Sequence, residues 1–398
     1  MSPVPLVTLA DICESVRYGY TASANEQEVG PRFLRITDIV PDSIDWDSVP
    51  FCEIDDSDKE RFALKAGDIV VARTGATVGY AKLIRDSVDA VFASYLVRFR
   101  VNGKQADPGF VGRLVESFIY KEFVKSRIGG AAQPNANAQV LGSFQFGLPL
   151  RREQRRIVDI LSAYDDLIEN NRRRMALLEE AARQLYREWF VRHRFPGHEH
   201  TRITNGVPEG WEKKRLEDVA EVNQESLPSS FDGEIEYIDI SSVTPGMINE
   251  TTTYDFHEAP SRARRIVQHG DIIWSCVRPN RRSYAVVWQP PSNLIASTGF
   301  AVITPKIVPA ALLYQAITTD DFVGYLENHA RGAAYPAVVA GDFERAEIFV
   351  PRAPLVDAFN EQAEPLLSQM HTLRLQNQKL RAARDLLLPR LMSGEIPV

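Results

Sequence analysis

The sequence predicts an α+β protein built as two tandem copies of one unit, each a globular domain followed by a long helix. Three observations predict it. Short motifs recur at one offset, β-rich runs bounded by Gly, Pro or Asp stand in each half, and each half ends in an apolar stripe spaced three and four.

The repeat comes first. Gly67-Asp68-Ile69-Val70 recurs as Gly270-Asp271-Ile272-Ile273, an offset of 203. Gly130-Ala131-Ala132-Gln133-Pro134 recurs as Gly332-Ala333-Ala334-Tyr335-Pro336, and Pro149 of Phe146-Gly147-Leu148-Pro149 as Pro351 of Ile348-Phe349-Val350-Pro351, both at 202. Leu9-Ala10-Asp11-Ile12 resembles Leu216-Glu217-Asp218-Val219 at 207. Four matches in order at nearly one offset read as a duplication.

Strands are expected at Ile69–Ala72 and Val91–Val101, and at Ile272–Trp274 and Ala285–Trp288. Short helices are expected at Phe110–Lys125 and Ala310–Asn328. Such a mixture points to a mainly antiparallel sheet flanked by helices; strand order stays open. Gly75-Ala76-Thr77-Val78-Gly79 reads as a hairpin turn.

The long helices follow. In the first, the stripe is read at Ile157, Ile160, Tyr164, Leu167, Leu178, Ala181 and Leu185, with Asn171 and Arg174 in the same row. In the second it is Val356, Phe359, Ala363, Leu366, Met370, Leu373, Leu380, Leu387 and Leu391, with Asn377 and Arg384 interrupting. This is the heptad of a coiled coil, each helix about 50 Å long. A helix with one apolar stripe needs a partner, and the other copy supplies it. Like units pair about a pseudo-two-fold axis, so the helices are expected to run antiparallel and hold two globular heads a fixed distance apart. The expected domains are 1–150, a spacer helix 151–195, a linker 196–212, a second domain 213–350 and a second spacer helix 351–398.

Composition bounds the function. The chain has 398 residues, 44% hydrophobic and 25% charged, which excludes disordered and collagen-like classes. Apolar runs stay short of the roughly 18 residues of a membrane span, and Met1–Pro5 lacks a signal-peptide pattern. Cys13, Cys52 and Cys276 lie far apart, so reduced thiols in the cytoplasm are expected. Net charge is −7 and unevenly spread: −3 over 1–150, +3 over 151–195, −8 over 196–350 and +1 over 351–398. Basic clusters nonetheless stand out at Arg262-Ala263-Arg264-Arg265 and Arg278-Pro279-Asn280-Arg281-Arg282. Clustered base on an acidic chain permits a nucleic-acid face.

The usual catalytic signatures are missing. Gly103-Lys104 has no Walker A context, the only Pro-Pro (290–291) follows Gln289 rather than Asp or Asn, and no GxSxG, HExxH or GxGxxG occurs. Glu212-Lys213-Lys214 is the sole acid-x-Lys match and lacks an upstream Pro-Asp, so it reads as solvated charge rather than a nuclease site. His193, His198 and His200 cluster in a Pro/Gly linker without cysteine and read as linker residues, not metal ligands.

Here the text resembles a known family. Two α+β domains alternating with two similar long helices resemble the specificity subunit of type I restriction–modification systems. Pro149-Leu150, Glu153-Gln154-Arg155-Arg156-Ile157-Val158, Leu161 and Asp165 to Ile168 are similar to its central region, as are Arg183-Gln184-Leu185-Tyr186 and Trp189-Phe190. Val207-Pro208-Glu209-Gly210-Trp211 resembles the opening of its second recognition domain, and Leu386 to Ile396 its C-terminal end. The first domain departs, starting near Thr8-Leu9 without a Pro-x-Gly-Trp. The resemblance implies a non-catalytic subunit whose two target-recognition domains each read half of a split double-stranded DNA site. It implies helices that set the spacer and dock two methyltransferase subunits. It also implies that S-adenosylmethionine, ATP and Mg²⁺ are bound by partner methyltransferase and restriction (translocase) subunits, with no cofactor in this chain. Two other readings stay open: a scaffold that binds only proteins, and a nuclease or methyltransferase with an unrecognised site.

Arginine reads guanine best and Asn or Gln reads adenine, while phosphate contacts set position. On that chemistry the DNA-contacting candidates in the first domain are Arg17, Tyr18, Arg61, Arg73, Thr74, Gln133 and Asn135. In the second they are Arg262, Arg264, Arg278, Asn280, Arg281, Arg282 and Tyr335. Trp189, Phe190 and Leu388 are expected to point outward and dock a partner.

Overall fold

The computed structural model describes residues 4–41, 43–128, 134–333 and 335–398. The chain forms two compact units, one of residues 1–168 with 378–398 and one of residues 169–377. Each long helix, Arg151–Tyr186 and Ala353–Met392, contributes one part to each unit.

The first unit holds a four-stranded antiparallel sheet. Its order is Cys13–Tyr18, Leu96–Val101, Asp68–Ala72, Ala81–Leu83. The central strand Asp68–Ala72 is buried on both faces, which its unbroken Ile-Val-Val-Ala run requires. Arg32–Leu34 and Ala90–Phe92 form a separate parallel pair, and Leu6–Thr8 pairs with Gln145–Gly147. The expected run Val91–Val101 is therefore two strands, broken at residues 93–95. The expected helix Phe110–Lys125 is also two, Pro108–Glu116 and Phe118–Arg127, broken at Ser117, whose hydroxyl bonds back to Leu114 O instead.

The second unit repeats the plan. Its sheet runs Ala220–Val222, Phe300–Pro305, Ile272–Ser275, Tyr284–Val286. Glu234–Ile238 and Leu294–Ser297 form its parallel pair, and Glu212–Arg215 pairs with Glu347–Val350. The correspondence reaches single hydrogen bonds. Gly67 N donates to Ile84 O and Gly270 N to Val287 O, both at 2.8 Å. These glycines have φ of 92° and 88°, a conformation that admits Gly without strain.

The helices pair antiparallel within each unit. In the first, Arg384 Nη1 donates to Asp165 Oδ1 at 2.8 Å. In the second, Asn171 Nδ2 donates to Asn377 Oδ1 at 2.9 Å, both side chains buried, and Phe190 packs edge-on against Phe359. The residue numbers of these pairs fall on one helix as they rise on the other. The buried row of the first helix is Ile157, Leu161, Ile168, Asn171, Met175, Ala182 and Trp189, with Tyr164, Leu178 and Leu185 half-buried between. So Ile157, Tyr164, Asn171, Leu178 and Leu185 lie in the seam as expected, whereas Ile160, Leu167, Arg174 and Ala181 do not. The seam uses their neighbours one residue on, and Leu167 is 52% exposed. Ile160-Leu161 and Leu167-Ile168 offer an apolar side chain at both phases, so spacing alone left the choice open. In the second helix the row holds, with Leu367 more deeply buried than Leu366.

Both helix ends enter cores. Ile157, Leu161 and Leu391 join the core of the first unit, with Leu388 partly buried against it. Trp189, Phe190, Val356 and Phe359 join that of the second. This corrects the outward placement of Trp189 and Phe190, which are 6% and 7% exposed. Residues Arg187–Val191 form a π-helical turn. Its wider winding turns two consecutive aromatics inward, where a regular α-helix would spread them 100° apart. Leu388 is likewise not free, being packed on the first unit's own core.

Candidate nucleic-acid interface

In the first unit the candidates gather where two strands end. Arg17 and Tyr18 close the strand Cys13–Tyr18, and Arg73 and Thr74 follow Asp68–Ala72. A returning segment is laced to them: Ala136 N donates to Arg73 O at 2.8 Å, Gly75 N to Pro134 O at 3.0 Å, and Thr74 bridges Asn135. The Arg73 guanidinium lies 4.8 Å from the centre of the Tyr18 ring, and the Tyr18 hydroxyl accepts from Ala138 N at 2.9 Å. Arg73 Nε is buried without a partner. Arg61 joins only by its carbonyl, which accepts from Arg17 Nη1 at 3.1 Å; its own guanidinium faces Phe62 and Asp58. Asn135 is exposed. Gln133 lies outside the described residues.

In the second unit the same scaffold carries different residues. Val338 N donates to Cys276 O, Val277 bridges Ala337, and Arg278 N donates to Pro336 O at 2.7 Å. Backbone position for backbone position, Cys276-Val277-Arg278 stands where Arg73-Thr74-Gly75 stands. The Arg278 guanidinium lies 4.4 Å from the centre of the Tyr335 ring, which is 68% exposed. Each unit therefore lays an arginine over a tyrosine beside the same loop, from different backbone positions. Stacking holds a guanidinium flat with its edge N–H groups outward.

Arg278 and Arg282 have φ of 51° and 54°, bracketing the turn Pro279–Arg281. Two non-glycine residues in the left-handed region store strain of about 1–3 kcal/mol each. Asn280 and Arg281 are thereby carried on an exposed tip, while Arg282 is tied to Asp320. Arg262 and Arg264 do not join this loop in any contact among the described residues. Arg262 pairs with Asp239 at 3.4 Å, and Arg264 lies 4.4 Å from the centre of the Phe256 ring. Sequence reasoning missed Arg331. It is exposed, and its backbone pairs both ways with Ala337 to make the hairpin that carries Tyr335. Its place just before the repeated Gly-Ala-Ala motif was the available signal.

The profile of the type I restriction modification DNA specificity domain matches residues 1–180 and 208–355. The chain belongs to this family. A type I restriction enzyme MjaIX specificity subunit of Methanocaldococcus jannaschii is 24% identical over 72% of this chain and 68% of its own. The HindI specificity subunit of Haemophilus influenzae is 21% identical over 84% and 87%. A crystal structure of a type I restriction-modification S subunit from M. genitalium shares the fold, with a TM-score of 0.54, 14% identity and coverage of 98% and 99%. Specificity subunits are the non-catalytic DNA-recognition members of their systems, and the internal repeat found above is a tandem of two such domains. Among the described residues no group of three or more His, Cys, Asp or Glu is placed to hold a metal ion, and no helix is long and apolar enough to cross a membrane.

Proposed function

We propose that each unit of this specificity subunit reads one half of a bipartite duplex, the first through Tyr18, Arg73, Thr74 and Asn135, the second through Arg278, Asn280, Arg281 and Tyr335. Gln133 belongs to the same proposal. Arg17, Arg61, Arg262, Arg264 and Arg282 serve as phosphate contacts that set position. One observation carries this: a shared loop scaffold presents an arginine stacked on a tyrosine in each unit, at non-equivalent positions. A common scaffold with unlike donors reads unlike bases.

The helices set the distance between half-sites and dock two methyltransferase subunits, with restriction subunits joining the assembly in the cytoplasm. Outward leucines such as Leu177 and Leu386, 71% and 70% exposed, are the docking candidates in place of the buried Trp189 and Phe190. S-adenosylmethionine, ATP and Mg²⁺ belong to those partners.

The test is Arg278→Ala with Arg281→Ala in the chain assembled with its methyltransferase subunits. DNA affinity should fall at least tenfold. If both act on phosphates, the slope of log affinity against log salt should also drop by about 1.8. Unchanged affinity and slope would remove this loop from the interface. Binding by the assembly to no DNA at all would favour the protein-only scaffold.

A further inference from the structure

The repeat exposes one place where the units keep the backbone and change the chemistry. In the first unit Lys65 N donates to Asp68 Oδ2 at 2.8 Å; in the second Gln268 N donates to Asp271 Oδ2 at 2.7 Å. Both aspartates are buried, 1% and 2% exposed. Asp68 sits opposite Arg100, whose Nε and Nη2 each hold one carboxylate oxygen at 2.7 Å. Arg98 and Arg100 both also donate to Ala63 O.

The strand register places Val302 where Arg98 stands, since Val70 pairs with Arg98 and Ile273 with Val302. Two residues on, Thr304 stands where Arg100 does. Thr304 Oγ1 donates to Asp271 Oδ1 at 2.8 Å and so replaces one of the two guanidinium bonds. Where two arginines stand in the first unit, the second has the shorter Val302 and Thr304, and a small recess opens beside them. Asp271, Glu225, Gln224, Gln268 and Ile266 line it, with Val302 and Thr304. Ile266 holds the place of Ala63 at the offset of 203. Among the described residues no lysine or arginine lies within ion-pair distance of Asp271 or Glu225. Burial, with Glu225 adding to it, pushes the Asp271 carboxyl above its ordinary range.

We propose that this pocket is the seat of a guanidinium group, presented by an arginine of a partner subunit. The partner half of the statement rests on the docking reading above; the guanidinium half does not. A carboxylate taken side-on through two N–H groups selects a planar fork over an ammonium. The acidic lining repels phosphate, so DNA is the wrong occupant. The pocket also lies at the start of the strand Ile272–Ser275, the end opposite the Arg278 loop.

The probe is N-acetyl-arginine amide, titrated into the full chain and read at the Gln268 backbone amide by NMR, with the lysine and glycine amides as controls. A saturable shift with the arginine amide, at least fivefold weaker with lysine and absent with glycine, is expected. It should vanish in Asp271→Asn and in Thr304→Arg, where the chain fills its own pocket and melts at a higher temperature. No saturable shift, or an equal one with glycine amide, overturns the seat. Thr304→Arg should also weaken assembly with the methyltransferase subunits at least tenfold, and Asp271→Asn in the same direction. Arginine amide binding with unchanged assembly overturns the partner assignment. Wild-type chain that fails to assemble at all defeats the docking reading and leaves the amide result to stand.

Discussion

Arg73 and Arg278 perform one task from two backbone positions, and this is where sequence comparison of the halves misleads. At the constant offset Arg73 aligns with Cys276, and Arg278 with Gly75. Each guanidinium reaches a tyrosine supplied by a different segment, a strand end in one unit and a hairpin tip in the other. Arg73→Ala should relax base discrimination in one half-site and Arg278→Ala in the other, each by about 1–3 kcal/mol per base contact. Selection of bound sequences from a randomised pool checks it; relaxation of both halves by one substitution would contradict the division of labour. A second residue-scale prediction concerns Asp165. Burial raises its carboxyl pKa, but Arg113, Arg384 and Arg85 outweigh that and hold it below the ordinary carboxylate range. A depressed folded pKa stabilises the fold above the unfolded value of about 3.9, and the benefit is lost as pH falls through the folded value. Asp165→Asn should therefore cost about 3 kcal/mol at neutral pH, because it leaves arginines without their counter-ion. Melting curves of the two proteins should converge in acid; a constant gap would assign the loss to packing.

At the scale of the element, the heptads were legible and their phase was only half so. Ile160-Leu161 and Leu167-Ile168 offer an apolar side chain in both phases, and only Met175 beside Arg174 marks the phase that is buried. The aromatic pair Trp189-Phe190 failed for a related reason. A π-helical turn leaves no mark in apolar spacing, so both residues, beyond the last stripe position at Leu185, read as outward. The polar interruption at Asn171 and Asn377, by contrast, was read correctly as part of the seam. Its bond at 2.9 Å explains why it is tolerated: one buried amide donates to the other across the seam. Asn171→Leu alone should destabilise the second unit by about 1–3 kcal/mol, since the buried Asn377 Oδ1 loses the donor that Asn171 Nδ2 gives it. Asn171→Leu with Asn377→Leu should recover most of that loss. Denaturant midpoints of the three proteins test it, and a double substitution no better than the single would show that the pair is not coupled. Inserting one helical turn into each long helix should lengthen the DNA spacer that is methylated; sites methylated at the old spacing would end the ruler reading.

For the whole molecule, chain order and compact units differ. The first unit is completed by residues 378–398, whose Leu391 is 3% exposed and whose Leu387, Leu388, Met392, Ile396 and Val398 pack on the same core. Ending the chain at Asn377 removes apolar contacts worth about 5 kcal/mol or more, comparable with the whole stability of an ordinary domain. Calorimetry should then lose the first unit's transition while the second unit's persists. The sequence by itself determined the duplication, the class of each half, the presence of two seams and the absence of familiar catalytic motifs, because turn glycines, apolar period and motif spacing are local properties of the chain. Only the tertiary structure decided which phase of the first stripe is buried, which arginines stack beside a common loop, and that one buried aspartate keeps its arginine while its counterpart does not. Those outcomes depend on which residues stand opposite one another across strands and helices. Partners far apart along the chain leave no period in it.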